Sequence, residues 1–148
     1  MELRKATIDD MDELGDLFNK YRIFYGKESA LSEAKEFLSE RFIEHESEIF
    51  IAISGAVITG FVQLYPLFSS TRMKRLWLLN DLFVLEEYRG KGISKALIER
   101  VKEFCRETGA CGFTLQTAKT NIVGNRLYER MGLVLDMEYN TYSWDLDF

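Results

Sequence analysis

The sequence predicts a single α+β domain over residues 1–148, with a mixed, mostly antiparallel sheet flanked by helices on both faces. Three observations predict it. Segments of period 2 and period 3.6 follow one another as β-α-α-β-β-β-α-β-α-β, an order that mixes hairpins with crossovers and departs from a regular doubly wound sheet. Ser54-Gly55 separates two β-rich runs in the manner of a hairpin turn. The run Leu76–Leu85 is apolar on both faces, as a central strand must be.

Residues 2–8 are predicted as a short strand, after which Asp9 or Asp10 supplies an N-cap. Met11, Leu14, Leu17, Phe18, Tyr21, Phe24 and Tyr25 then recur at helical spacing, behind a first turn rich in acids that suits the positive end of a helix. Ser32 opens a second helix whose stripe is Ala34, Phe37, Leu38 and Phe42. Glu48–Ser54 and Val57–Tyr65 form the hairpin, and Leu76–Leu85 the next strand. Gly90-Lys91-Gly92 leads into a helix with Ile93, Ala96, Leu97, Val101, Phe104 and Cys105 inward. Phe113–Thr117 is a strand, Asn121–Met131 a short helix, and Gly132 its C-cap. From Tyr139 the tail alternates, with Tyr142, Trp144, Leu146 and Phe148 on one face and Thr141, Ser143 and Asp145 on the other, which predicts a final strand.

Composition narrows the function. Apolar residues make up 47% and charged residues 29%, enough to bury a core. Lys and Arg number 19 against 24 Asp and Glu, a net charge of −5 that argues against a nucleic-acid or anionic-membrane binder. The longest apolar runs are far too short to span a bilayer. The chain opens directly into patterned sequence without a signal-peptide core. Cys105 and Cys111 are too few for a disulfide framework, and the expected compartment is the cytoplasm. Together with the lone His45 they are too few for a closed zinc site, so no metal is expected.

The segment that carries chemistry runs from Leu79-Asn80-Asp81-Leu82-Phe83-Val84 to Arg89-Gly90-Lys91-Gly92-Ile93-Ser94-Lys95. A buried strand passes through a glycine-bearing turn into a long helix. Helix N-termini present unpaired N–H groups and a positive dipole end, glycines let that backbone approach a ligand, and Arg89 and Lys91 add charge. That combination suits a pyrophosphate. A dinucleotide fingerprint fails because position 95 is Lys, and a nucleotide P-loop fails because no Gly-Lys-[Ser/Thr] follows at the required spacing. A ligand-free βα turn is the alternative.

Arg89-Gly90-Lys91-Gly92-Ile93-Ser94 resembles the Arg/Gln-x-x-Gly-x-Gly/Ala turn of the GNAT superfamily of acyl-CoA-dependent N-acetyltransferases. Asn121-Ile122-Val123-Gly124-Asn125-Arg126-Leu127-Tyr128-Glu129-Arg130-Met131-Gly132-Leu133 is similar to its Asn-x-x-Ala-x-x-Leu-Tyr-Glu-Lys-x-Gly-Phe helix. Ser94 departs from the final Gly/Ala and Gly124 from the usual Ala; both are small. The element order matches over nearly the whole chain, and two motifs separated by one helix and one strand are far more specific than either alone.

The resemblance implies a GNAT-like fold with acetyl-CoA as cosubstrate. Leu82, Phe83 and Val84 would contact the pantetheine arm, Arg89 to Lys95 (Arg89, Gly90, Lys91, Gly92, Ile93, Ser94 and Lys95) the pyrophosphate, and Asn121 and Gly124 the other side of the cofactor. The acceptor, a primary amine on a small molecule or peptide, would attack the thioester directly, and a homodimer is implied. An alkyl ammonium with a pKa near ~10 must first lose a proton, and a departing thiolate with a pKa near ~8.5 is helped by an acid. Tyr128 matches the family's acid; on helical spacing alone it is a packing aromatic. Asn80 and Asp81 place two polar groups in an apolar strand, on opposite faces if alternation holds. Asp81 is either a base acting through water or a cap on a buried backbone group. Polyamine-acetylating relatives carry Glu where Asn80 stands, which weakens a polyamine reading. Tyr21, Arg22, Tyr25 and Asn80 are expected at the acceptor, with Arg22 either holding a carboxylate or facing solvent. The rival class is a non-catalytic acyl-CoA-binding module.

Overall fold

A computed structural model describes residues 1–147. The chain divides into two compact units, Met1–Gln116 and the segment beginning at Thr117. In the first, five strands form one sheet in the order β1-β2-β3-β4-β5: β1 (Glu2–Lys5), β2 (Glu48–Ser54), β3 (Val57–Ser69), β4 (Lys74–Val84) and β5 (Phe113–Thr114). All neighbours are antiparallel except the short parallel pair β4–β5. The mixed, mostly antiparallel sheet expected from sequence is therefore present.

Helices α1 (Met11–Phe24) and α2 (Leu31–Ile43) cover one face of the sheet. Leu14, Leu17, Phe18, Ala34 and Leu38 pack there with Ile49, Ile51, Phe61 and Phe83. Helix α3 (Ile93–Thr108) covers the other, where Leu97, Val101 and Phe104 pack with Phe50, Val62, Leu64, Trp77 and Val84. The 3.6-residue stripe of α3 and the two-sided apolar strands are thus satisfied by a single arrangement.

Local chemistry adjusts the expected boundaries. Strand β1 stops at Lys5 because Thr7 and Asp10 close a capping box around a short 3-10 turn, Ile8–Asp10. Asp10 does not cap α1 through its side chain. Its carboxylate accepts from the Thr7 N–H at 2.7 Å and from both outer nitrogens of Arg4 at 2.7 and 2.9 Å. These bonds hold its pKa down at about 2.

The second unit contains α4 (Ile122–Arg130), closed by Gly132 N–H to Glu129 and Leu133 N–H to Tyr128, both at 3.0 Å. The strand expected from Tyr139 onward is not formed. Alternation supplies a face, but a strand also needs a neighbouring backbone, and here side chains satisfy the backbone locally. Asp136 accepts from the N–H groups of Glu138 and Tyr139, and Asp145 from that of Asp147. Tyr142, Trp144 and Leu146 are exposed, and Phe148 lies outside the described residues. The strand expected at Phe113–Thr117 is likewise cut to two residues.

Candidate active site

Three features converge at the C-terminal half of β4. The first is an open edge. Parallel pairing with β5 consists of Trp77 with Phe113 and Leu78 with Thr114 only, so past Leu78 the strand keeps β3 as its one strand neighbour among the described residues. Leu82, Phe83 and Val84 lie on this stretch.

The second is the turn. Gly90 and Gly92 adopt φ of 76° and 80°, and a Cβ at either would meet nothing within 4 Å, so the reason for glycine is the backbone angle and the open space above it. Gly92 is the N-cap of α3, makes no side-chain cap bond, and precedes a first turn without acids. Ile93 is buried and anchors the helix start, while Lys91, Gly92 and Lys95 are exposed. Closeness to β4 is secured at Gly60, where a Cβ would lie 3.0 Å from the Phe83 carbonyl and 3.2 Å from Ile93 Cγ2. Such a helix start fits an anionic phosphate group. Arg89 is partly committed elsewhere: its Nε donates to the Val84 carbonyl at 2.9 Å, and its guanidinium lies 4.9 Å from the Phe24 ring centre. It pins the turn to the end of β4. Lys91 Nζ rests 5.1 Å over the Tyr88 ring.

The third is a buried polar cluster. Gln63 pairs with Asp81 across the sheet, whereas the next partners are Leu64 and Leu79, which leaves Asn80 as the extra residue of a β-bulge. The expected opposite facing of Asn80 and Asp81 is therefore overturned: Asn80 Nδ2 donates to Asp81 Oδ1 at 3.2 Å. The bulge also changes which helix Asp81 faces. Trp77 and Leu79 pack toward α3, and strict alternation would send Asp81 there too; instead its carboxylate lies with Tyr21 of α1. Gln63 Nε2 donates to Asp81 Oδ2 at 2.7 Å. Asp81 is only 4% exposed, and burial pushes its pKa above the ordinary 3.8 although bonds from Gln63, Asn80 and Tyr21 pull the other way. Burial first, and the nearby Asp81 charge second, push Tyr65 up to about 12. These partners of Asp81 are side chains.

Tyr21 and Tyr25 stand beside this cluster, with ring centres 4.9 Å apart, and the Tyr21 hydroxyl donates to the Asn80 carbonyl at 3.4 Å. Arg22 does not join them. It donates to the Glu28 carbonyl at 3.2 Å and lines a separate groove of about 340 Å³ with Phe18, Ala30, Glu33, Ala34 and Phe37. Gln63 and Tyr65 escaped the sequence reading. The available signal was a lone amide in the apolar run of β3, opposite the lone acid of β4.

In the second unit, Asn121 caps α4 by accepting from the Gly124 N–H at 3.1 Å and donates to Thr117 Oγ1 at 2.9 Å. A Cβ at Gly124 would run into the Asn121 amide, so here the glycine and the cap are one device. Asn121, Gly124 and Tyr128 follow one another at i, i+3 and i+7, along one face of α4. Tyr128 is half-buried.

Comparison with known proteins identifies the class to which this fold belongs. The sequence profile of the acetyltransferase (GNAT) family matches residues 11–133, and this chain belongs to that family. It is 42% identical over 142 residues to the uncharacterized N-acetyltransferase YhfO of Bacillus subtilis, covering 96% of this chain and 95% of that one. A probable acetyltransferase of Haemophilus influenzae is 38% identical over 109 residues, 73% of this chain and 75% of that one. A crystal structure of a probable acetyltransferase superposes with a TM-score of 0.94 at 37% identity, covering 99% and 98% of the two chains. The protein is an acetyltransferase of the GNAT type. Among the described residues no helix is long and apolar enough to cross a membrane, and no group of three or more His, Cys, Asp or Glu is placed to hold a metal.

Proposed function

We propose that this enzyme moves an acetyl group from acetyl-CoA to a primary amine of a small molecule or peptide by direct attack, as a cytoplasmic homodimer. The observation that carries the reading is the junction of β4 and α3, where an open strand edge, a glycine turn whose helix start has no side-chain cap and a buried carboxylate meet within one unit. Bound acetyl-CoA supplies an acyl thioester activated toward amines. Gly90 to Lys95 hold its pyrophosphate through backbone N–H groups, with Lys91 and Lys95 adding charge. The open edge of Leu82, Phe83 and Val84 pairs with the pantetheine arm. Asp81 takes the proton that an ammonium acceptor must shed, a task for which its burial-raised pKa suits it. Tyr128 gives a proton to the departing sulfur. Asn121 and Gly124 of α4 are further contacts for the cofactor in this reading. Asn80, unable to accept a proton, offers hydrogen bonds to the acceptor beside Tyr21 and Tyr25.

Steady-state thiol release from acetyl-CoA over a panel of amines, amino acids and polyamines tests the reading. Amine-dependent turnover is expected; tight acetyl-CoA binding without turnover on any amine would instead define a binding module. In the same protein, Gly92→Val should lower acetyl-CoA affinity by about 10²-fold, since a β-branched residue strains the φ of 80° at the point of closest approach. Unchanged affinity in a folded variant would remove the turn from the site.

A further inference from the structure

Gln63 has no exposed surface, and only one end of its amide is used: Nε2 donates to Asp81 Oδ2 at 2.7 Å, while the buried Oε1 has no hydrogen-bond partner among the described residues. A residue kept there for packing would be apolar, since an orphaned buried acceptor is a cost without a return. The amide is explained by what its other end does. Gln63 and Asp81 are directly opposed across β3 and β4, next to the bulge. Oδ2 is therefore held from inside the sheet, and Oδ1 is turned toward exposed Asn80, whose own carbonyl accepts from the Tyr21 hydroxyl.

We propose that Gln63 is the positioning residue of the base: its amide fixes one carboxylate oxygen of Asp81, so that the other faces the acceptor amine and takes its proton. The proposal rests on Asp81 being the base. The proton leaves the ammonium nitrogen and arrives on Asp81, and the freed lone pair on nitrogen attacks the acyl carbon; Gln63 itself exchanges nothing. The titratable groups around this carboxylate are Tyr21 from α1 and Tyr65 from β3, and beyond Tyr65 lie Arg41 and Glu46. None of them is a cation paired directly to Asp81, so the neutral Gln63 amide, which makes the shortest bond to it, is its principal tether.

The test is the pH profile of kcat/KM for Gln63→Met and Gln63→Glu, each measured with acetyl-CoA affinity and thermal stability, alone and on an Asp81→Asn background. Losing a donor to the ionised carboxylate raises its pKa, so in Gln63→Met the acidic limb should move up by roughly one pH unit, and kcat/KM should fall about tenfold at pH values below both limbs. Acetyl-CoA affinity should stay unchanged. Gln63→Glu keeps the volume and sets a second carboxylate beside the first, which should move the limb up further, and it decides the matter if Gln63→Met does not fold. On the Asp81→Asn background neither change should lower turnover again. A limb that stays in place in a folded Gln63 variant, or an equal loss on the Asp81→Asn background, overturns the positioning role. Asp81→Asn alone separates the two readings: if it removes the limb while Gln63 variants leave it unmoved, the base stands and the positioning falls; if it leaves wild-type turnover, both fall.

Discussion

Under α3 the sheet presents Phe50, Val62, Leu64, Trp77, Leu79 and Val84, all apolar and buried; under α1 and α2 it presents Ile49, Ile51, Phe61 and Phe83 and, among them, Gln63 and Asp81. The same strands build both faces. The difference arises at one residue, Asn80, whose insertion into β4 changes the phase of the side chains beyond it. One face is wholly apolar, and the other keeps a desolvated carboxylate next to Tyr21 and Tyr65, the place proposed above for deprotonation of the acceptor amine. A bulge is thus the means by which an apolar strand carries a polar group to the α1 side without wetting the core beneath α3.

This contrast can be broken from the dry side first. Leu97 has no exposed surface, and Leu97→Ala should cost about 3 kcal/mol in chemical unfolding through lost burial and a residual cavity. Turnover per folded molecule should be untouched; a loss below about 1 kcal/mol would mean that the α3 face is loosely packed. Tyr128→Phe tests the second unit. Its kcat should fall by about 10²-fold with acetyl-CoA affinity unchanged in calorimetry, because phenylalanine keeps the ring and removes the acid. Unchanged kcat would return Tyr128 to packing.

The smallest effect lies just before α1, at Asp10, whose ion pair with the solvated Arg4 should contribute only slightly to stability. Its folded pKa of about 2 lies below the ordinary 3.8, so that contribution is present above pH 3.8 and disappears as the pH falls through 2. Asp10→Asn and the wild type should therefore differ in unfolding free energy at neutral pH and converge near pH 2. An equal difference at both pH values would assign the effect to packing rather than ionisation.

Much of this was legible in the sequence, for reasons that differ by element. The two-sided apolar run of β4 and the 3.6 period of α3 marked a strand covered on both faces and a covering helix, and Gly90 and Gly92 marked the turn between them. The bulge was not legible, because register depends on which residues of β3 stand opposite, and Asn80 differs from its neighbours only after Gln63 and Leu64 have found theirs. Arg22 carried the right charge for an acceptor contact, but its position on α1 turns it into the groove toward α2. The tail from Tyr139 has a strand's alternation, but Asp136 and Asp145 accept from the N–H groups of Glu138, Tyr139 and Asp147; periodicity records the first and not the second.

The most direct measurement is Asp81→Asn, with kcat, acetyl-CoA affinity and stability determined on one preparation. Because burial makes the ionised Asp81 costly, its loss should leave stability unchanged or raised as the pH increases above 3.8. Acetyl-CoA should bind as to the wild type, and kcat on the preferred amine should fall by about 10²–10⁴-fold. Wild-type turnover in a folded Asp81→Asn enzyme would contradict the account.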